Sequence, residues 1–406
     1  MGHVQAVWIA LVVVSWFYAA AWFWQGWIAL RGMPTLPDLT RVDADALEAL
    51  PDGAGPQLSV IVPACNEAES IEASLRSLLG SRGIRLEILA VNDRSTDATG
   101  AIIDRVAAEN AGPHVLRAIH IDALPVGWLG KPHAMATAAA EATAEWLLFT
   151  DGDVMFAADA LERALRCARE KRADHFVLVP TLIVHSVAER ALQAAMQVLA
   201  QWSIRLWKVS DPKARDFVGV GGFNLIRSEA YRAIGGFESM PMEVLDDLRI
   251  GWKLKRAGFR AMVALGPDLV RIRWIAGALS VFKLIEKNSF ATFRFRTVFH
   301  VLAAVGMTLV ALVPLAAVLA GWSGLPHAVW IVAGGWVAWG GIGLTYWANR
   351  KLMLAPAWMA VFFVPCVLLV AVAFVRSMVL TLVRGGIRWR GTYYPLEMLR
   401  EHCGKW

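Results

Sequence analysis

The residues best suited to chemistry are two aspartates separated by one glycine, in the run Phe149-Thr150-Asp151-Gly152-Asp153. Carboxylates this close can share a divalent cation, Mn²⁺ or Mg²⁺, that also touches phosphate oxygens, and glycine lets a ligand approach the turn. Alone, the pattern is common and reads as a solvated turn. Its company argues otherwise. Pro63-Ala64-Cys65-Asn66-Glu67 and Asn92-Asp93-Arg94-Ser95-Thr96-Asp97 also follow short apolar runs, so three polar clusters stand where strands end. In an open α/β sheet that rim is where ligands bind. Each cluster has a plainer reading: Ser95 or Thr96 ahead of Asp97 can cap a helix, and Asn66-Glu67 can open one.

Lys131 lies in Gly127-Trp128-Leu129-Gly130-Lys131-Pro132-His133, a glycine-punctuated loop ahead of a helix. Its ammonium can meet phosphate there, and Pro132 suits a first helical turn. An ordinary surface lysine is the alternative, and His133 is assigned no role. Downstream, Met242-Glu243-Val244-Leu245-Asp246-Asp247 opens a helix running to Arg256, just after the glycine-rich Val218-Gly219-Val220-Gly221-Gly222. Two aspartates at a helix start are favourable dipole partners. Transfer to an acceptor hydroxyl also needs a general base, and a carboxylate beyond the Asp-Gly-Asp pair supplies one.

The elements that position these groups follow from hydrophobic patterning. The β-branched run 58–63 reads as a buried strand, with further strands at 87–92, 144–150 and 176–180. Helical periodicity covers 68–79, 97–109, 132–142 and 157–171, and the alternation predicts a mainly parallel sheet with helices on both faces. Residues 34–57, rich in Pro, Asp and Gly, read as a linker. The segment 187–209 is amphipathic, fitting either a membrane surface or an ordinary helix packed on the sheet.

Around this middle the chain is apolar: 57% of its 406 residues are hydrophobic and 19 are Trp, so part of it belongs in lipid. Residues 4–30 carry no charged side chain and exceed the roughly 20 residues that cross a bilayer. The run lacks a basic leader, which favours a retained anchor over a cleaved signal. Three more apolar runs cover about 298–321, 328–348 and 354–374. Three crossings would leave the C-terminus opposite the middle region, although Arg384, Arg388 and Arg390 favour the same side. Either the last run is re-entrant, broken at Pro365, or the charge rule fails there. The net charge of +6 is met by basic residues beside the apolar runs, with no reason to invoke nucleic acid. Cys65, Cys167, Cys366 and Cys403 show neither zinc-site nor disulfide spacing.

Taken in order, these pieces resemble the family-2 glycosyltransferases, in particular the membrane-embedded branch with hopanoid-associated, carotenoid and ceramide-type lipid glycosyltransferases. The resemblance covers roughly 58–300 and the tail Trp389-Arg390-Gly391-Thr392-Tyr393-Tyr394. It implies a GT-A-type α/β domain that takes a nucleotide-sugar, foremost a UDP-sugar, and passes the sugar with inversion to a lipid-like acceptor. It implies that Pro63, Asn66, Glu67 and Asp93 line the base and ribose pocket and that Lys131 helps hold the nucleotide. Asp151 and Asp153 become the metal and diphosphate pair, Asp247 the catalytic base preceded by Asp246, and Gly221 and Gly222 the backing of the acceptor site. Processive relatives carry Gln-x-x-Arg-Trp near the membrane, where this chain reads Glu286-Lys287-Asn288-Ser289-Phe290. That departure argues against a polysaccharide synthase and leaves Lys287 and Asn288 as closing residues over the diphosphate.

The expected architecture is therefore an N-terminal span (1–33), a linker (34–57), a cytoplasmic GT-A domain (58–297), about three C-terminal segments (298–383) and a basic aromatic interfacial tail (384–406). Two rivals remain: a processive synthase, and a catalytically silent nucleotide-binding membrane scaffold. A transporter is unsupported, because the spans carry almost no charge apart from edge residues such as Arg376.

Overall fold

The computed structural model describes residues 2–41, 55–274, 277–323 and 328–402. Part of the sequence-read linker, 42–54, lies outside them, as does Cys403. The elements begin with α1 (Gly2–Gly32), β1 (Leu58–Ala64), α2 (Ile71–Leu79), β2 (Leu86–Asp93), α3 (Thr99–Glu109), β3 (Val115–Ile121), α4 (Gly130–Glu141) and β4 (Trp146–Phe149). There follow β5 (Met155–Phe156), α5 (Ala160–Glu170), β6 (His175–Val179), β7 (Thr181–Leu182), α6 (Val187–Ala200), β8 (Asn224–Arg227), α7 (Ser228–Ala233), α8 (Asp246–Arg256), β9 (Ala261–Leu265) and β10 (Val270–Ile272). The chain ends with α9 (Val281–Thr292), α10 (Thr297–Leu319), α11 (Ala328–Met353), α12 (Phe363–Arg384), β11 (Gly386–Trp389), β12 (Thr392–Pro395) and α13 (Leu396–His402).

Two compact units result: a sheet unit of 36–183, 206–274 and 385–406, and a helical unit of 1–35, 184–205 and 275–384. In the sheet unit seven strands run in the order β3-β2-β1-β4-β8-β6-β9, with only β8 antiparallel to its neighbours. Successive strand residues face opposite sides. Val60 and Val62 accordingly pack with Ile71 and Leu75 of α2 and Ile103 of α3, while Ile61 joins Ala134 of α4 and Ile250 of α8. Both faces are covered, which explains why β1 reads as an unbroken apolar run. The α/β class and mainly parallel sheet match the sequence pattern, while β3, β8 and β9 were not read from it. Leu39 is buried in this core and Asp38 bridges Leu265, so the first part of the linker is docked on the sheet unit.

In the helical unit four helices are long and apolar enough to cross a membrane by length and composition. Helices α1 and α11 run parallel: Ser15 Oγ donates to the Ile331 carbonyl, and further along Gly341 packs on Trp22 and Gly26 on Leu344. Small residues let these backbones approach. Helix α10 runs the other way, with Gly335 of α11 against Ala317 and Trp22 Nε1 donating to the Val310 carbonyl. Helix α12 starts level with the interior of this bundle, Phe363 meeting Trp22 at 5.2 Å and Tyr346 at 6.3 Å between ring centroids. It then descends toward the start of α10, where Phe374 stacks on His300. Helices α11 and α12 thus end toward the same side, joined by a 3-10 turn at Ala357–Phe362. Pro365 breaks nothing: it sits in the first turn of α12, where a missing N–H is tolerated.

The segment read as one amphipathic stretch, 187–209, is helical only to Ala200. Ser186 caps α6 by accepting from the Glu189 N–H at 3.2 Å. Its apolar face, including Ala194, Ala195 and Val198, is buried with Trp22 and Phe363 of the long helices.

Candidate active site

Strands β2, β1 and β4 lie side by side and parallel, so their C-terminal ends open on one rim. The chain winds outward from β1 to β2 and β3, then returns on the other side of β1 as β4. A reversal of this kind leaves a crevice between the two strand ends. Cys65, Asn66 and Glu67 follow β1, Asp93 closes β2, and Asp151 and Asp153 follow β4.

At the centre stands Lys131, in the first turn of α4. Its Nζ lies 2.7 Å from Asp151 Oδ1 and 3.3 Å from Asp246 Oδ2, and the side chain is only 12% exposed. Burial opposes its charge, but Asp151, Asp246 and Asp247 outweigh burial and raise its pKa. The lysine therefore joins the carboxylate after β4 to the acidic start of α8. Burial and the neighbouring Asp246 raise the Asp247 pKa above the usual carboxylate range. Asp247 Oδ1 accepts from the Leu248 N–H at 2.7 Å. Gly219 packs so closely on the Asp247 carbonyl that a Cβ there would overlap it. A Cβ on Gly221 would come within 2.6 Å of Asp151 Oδ2, and the Gly222 carbonyl accepts from Thr150 Oγ1 at 2.9 Å. The glycine-rich stretch thus backs the acidic centre.

Asp153 is pushed up to about 6 by burial first, then by Asp151 and Glu67. Burial likewise raises Glu67. Among the described residues no group of three His, Cys, Asp or Glu side chains is arranged to hold a metal ion. Asp151 and Asp153 nonetheless fit an ion of the Mg²⁺ class, which binds through one or two carboxylates and completes its shell with phosphate and water. The mutual repulsion that raises Asp153 is what such a cation would relieve.

The polar loops after β1 and β2 are knitted to each other. Asn66 adopts φ +58°, and its Oδ1 accepts from the Thr96 N–H at 2.8 Å. The Asn66 N–H donates to Ser95 Oγ at 3.1 Å, and the Glu67 N–H to Thr99 Oγ1 at 2.8 Å. Neither Ser95 nor Thr96 caps α3; the N-cap is Ala98, and Asp97 just before it accepts from the Thr99 N–H through Oδ1 at 2.9 Å. Asn66 thus ties the loop after β1 to the loop after β2. Lys287 and Asn288 lie on α9 of the helical unit, and the side chain of Lys287 falls outside the described residues.

Residues 59–235 match the family model Glycosyl transferase family 2. The match covers the rim after β1, β2 and β4, Lys131 and the glycine-rich stretch, and it stops short of Asp246 and Asp247. A solved structure, the mannosyltransferase PcManGT from Pyrobaculum calidifontis in complex with GDP-Man and Mn²⁺, is similar at 18% identity and a TM-score of 0.52. The alignment covers 92% of this chain and 99% of that one, and at this identity it speaks for the fold. S. aureus TarS 1-349 in complex with UDP-GlcNAc aligns at 16% identity over 84% of this chain and 96% of that one. Its TM-score of 0.38 carries no argument. No curated protein sequence matches this chain.

Three features of this site escaped the sequence pattern. Asp93, fully buried, is held between Arg94 Nε at 2.7 Å and Arg390 Nη1 at 3.1 Å. Arg390 comes from the basic aromatic tail, which forms the β11–β12 hairpin of the sheet unit. The available signal was Arg390-Gly391 between Trp389 and Thr392, a two-residue hairpin turn. Thirdly, His175 Nε2 and Asn224 Oδ1 lie 2.5 Å apart in the core, and Asn224 Nδ2 donates to the Asp247 carbonyl at 3.4 Å. Nothing in the local sequence marks that brace, because its members come from three separate elements.

Proposed function

We propose that the chain is a membrane-bound family-2 glycosyltransferase that moves a sugar, with inversion, from a nucleotide-sugar to a lipid-like acceptor. The observation that carries this reading is Lys131, bridging the Asp151 side of the crevice to the acidic start of α8. One carboxylate pair faces the place of the departing nucleoside diphosphate; the other supplies a base with a raised pKa. Asp247 takes the proton of an acceptor hydroxyl as its oxygen bonds to the anomeric carbon, and the bond from that carbon to the diphosphate oxygen breaks. Lys131 orients Asp151 and Asp246 and offsets charge near the leaving group. Asp151 and Asp153 would hold Mn²⁺ or Mg²⁺, whose chemistry there is to stabilise the leaving diphosphate. The similar mannosyltransferase, described with GDP-Man and Mn²⁺, supports both the donor class and the metal.

The lipid acceptor is inferred from the four long apolar helices, and nucleotide-sugars place the sheet unit in the cytoplasm. The helix directions fit three crossings, α1, α10 and α11, with α12 entering the bilayer only part-way. The direct test is purified protein in detergent with UDP- and GDP-sugars, Mn²⁺ and membrane lipid extract, followed by mass spectrometry of new glycolipids. Nucleotide-sugar hydrolysis or transfer to a soluble acceptor, with no new lipid, would remove the acceptor assignment.

A further inference from the structure

The hairpin β11–β12 turns on only Arg390 and Gly391, both with positive φ, +48° and +76°. A two-residue turn of this kind favours Asn, Asp or Gly at its first position, and arginine there is strained. Such a tip ordinarily points to solvent. Here it folds onto the rim: Arg390 Nη1 lies 3.1 Å from Asp93 Oδ2, and Nη2 donates to the Pro63 carbonyl at 3.3 Å. Arg94 Nη1 donates to Thr392 Oγ1 at 3.3 Å and pins the next strand. The Arg390 charge is also felt by Cys65 and Glu67. Its side chain is 14% exposed, so the guanidinium retains N–H groups beyond the two already engaged. Arg94 already pairs with Asp93, so the second guanidinium stands between Asp93 and the Glu67 carboxylate at the edge of the rim.

Resting on the nucleotide-sugar reading, we propose that the C-terminal hairpin completes the donor pocket and that Arg390 binds the nucleoside end of the donor through its carbonyl oxygens. Strain at the turn is retained because the position serves a ligand.

The discriminating variant is Arg390→Asn, which suits the turn but lacks the guanidinium. Calorimetric titration with UDP, UMP and GDP, in Mn²⁺, should show binding weakened about tenfold or more for the nucleotide the wild type takes, the size of one charge-assisted hydrogen bond. The melting temperature should fall, because Asp93 loses one of its two guanidinium partners, so affinities are compared well below the melting temperatures of both proteins. Arg390→Lys should bind with intermediate affinity. If the wild type takes UDP, the loss should be the same for UMP. Wild-type affinity in Arg390→Asn overturns the proposal, as does a loss confined to the diphosphate. If Arg390→Asn fails to fold, Arg390→Lys decides: unchanged nucleotide affinity in that variant overturns the proposal. A wild-type protein that binds none of the three nucleotides refutes the glycosyltransferase reading itself, which is a separate result.

Discussion

Replacing Lys131 by methionine removes one cation from a cluster of three carboxylates while nearly keeping the side-chain volume. At an effective dielectric of about 20, unit charges 3 Å apart interact by roughly 5 kcal/mol. Lys131 makes two such contacts, at 2.7 and 3.3 Å, and desolvation cancels much of their sum. Breaking a buried pair by deleting one partner typically costs about 3–5 kcal/mol. Asp151 is 31% exposed and partly screened, so the lower end, about 3 kcal/mol, applies at pH 7.5. For a unit of this size that lowers the melting temperature by about 6–12 °C. The deficit should depend on pH. Without the lysine the folded-state carboxylate pKa values rise above their unfolded values, so the folded state binds more protons. Acidification from pH 7.5 toward 5 should therefore return much of the lost stability relative to wild type. Differential scanning fluorimetry of both proteins across that range measures this. A deficit that stays constant or grows on acidification would refute the electrostatic account of Lys131.

Further outcomes follow from the same site. Asp153→Asn should abolish transfer with little change in melting temperature, and excess EDTA should do the same to the wild type; full activity in either case removes the metal pair. Asp247→Asn should keep nucleotide affinity in calorimetry and lose transfer, whereas lost affinity would move Asp247 into the donor pocket. Because the Asp247 base must be deprotonated and its pKa is raised, wild-type transfer should fall on acidification at a pH above the ordinary carboxylate range. Burial lowers His175 to about 4, so the unfolded chain takes up a proton below pH 6.5 that the folded one does not. His175→Gln should flatten the resulting loss of stability between pH 6.5 and 4; an unchanged slope would assign that loss elsewhere.

Strands that bury both faces announce themselves as apolar runs, and β1, β2, β4 and β6 were legible for that reason, together with the acidic clusters at their ends. The strand β3 was not: its burial is uneven, with Val115 exposed and His120 and Arg117 at the edge of the sheet, so Val115–Ile121 reads as mixed. The site was legible where neighbouring residues act together, as in Asp151-Gly152-Asp153. It was opaque where chemistry is assembled over long separations. Asp93 and Arg390 meet across 297 positions, and nothing near either one foretells the pairing. Asn66 shows a middle case: its place at a strand end was legible, whereas its left-handed backbone and the bond its Oδ1 accepts from the Thr96 N–H were not.

The last apolar run shows what a length count leaves open when direction is hidden. Counting three equal runs after the middle region puts the C-terminus on the far side, against Arg384, Arg388 and Arg390. The hairpin that follows α12 belongs to the sheet unit, and Arg390 reaches Asp93 within it. On the proposed function, with the sheet unit wholly on one side of the bilayer, a chain that leaves that unit at 274 and rejoins it at 385 crosses an even number of times. With α10 and α11 antiparallel, the proposed topology has those two helices cross and α12 enter only part-way. Its first residue meeting Trp22 and Tyr346, and its end bound to α9 through Arg384 and Glu286 at 2.5 Å, support that proposal. With native cysteines removed, Ser323→Cys, in the turn after α10, should react with a membrane-impermeant thiol reagent in intact cells. Glu401→Cys, in α13, should react only after permeabilisation. Labelling of Glu401→Cys in intact cells would make α12 a full crossing and would separate the hairpin from the sheet unit it is built into.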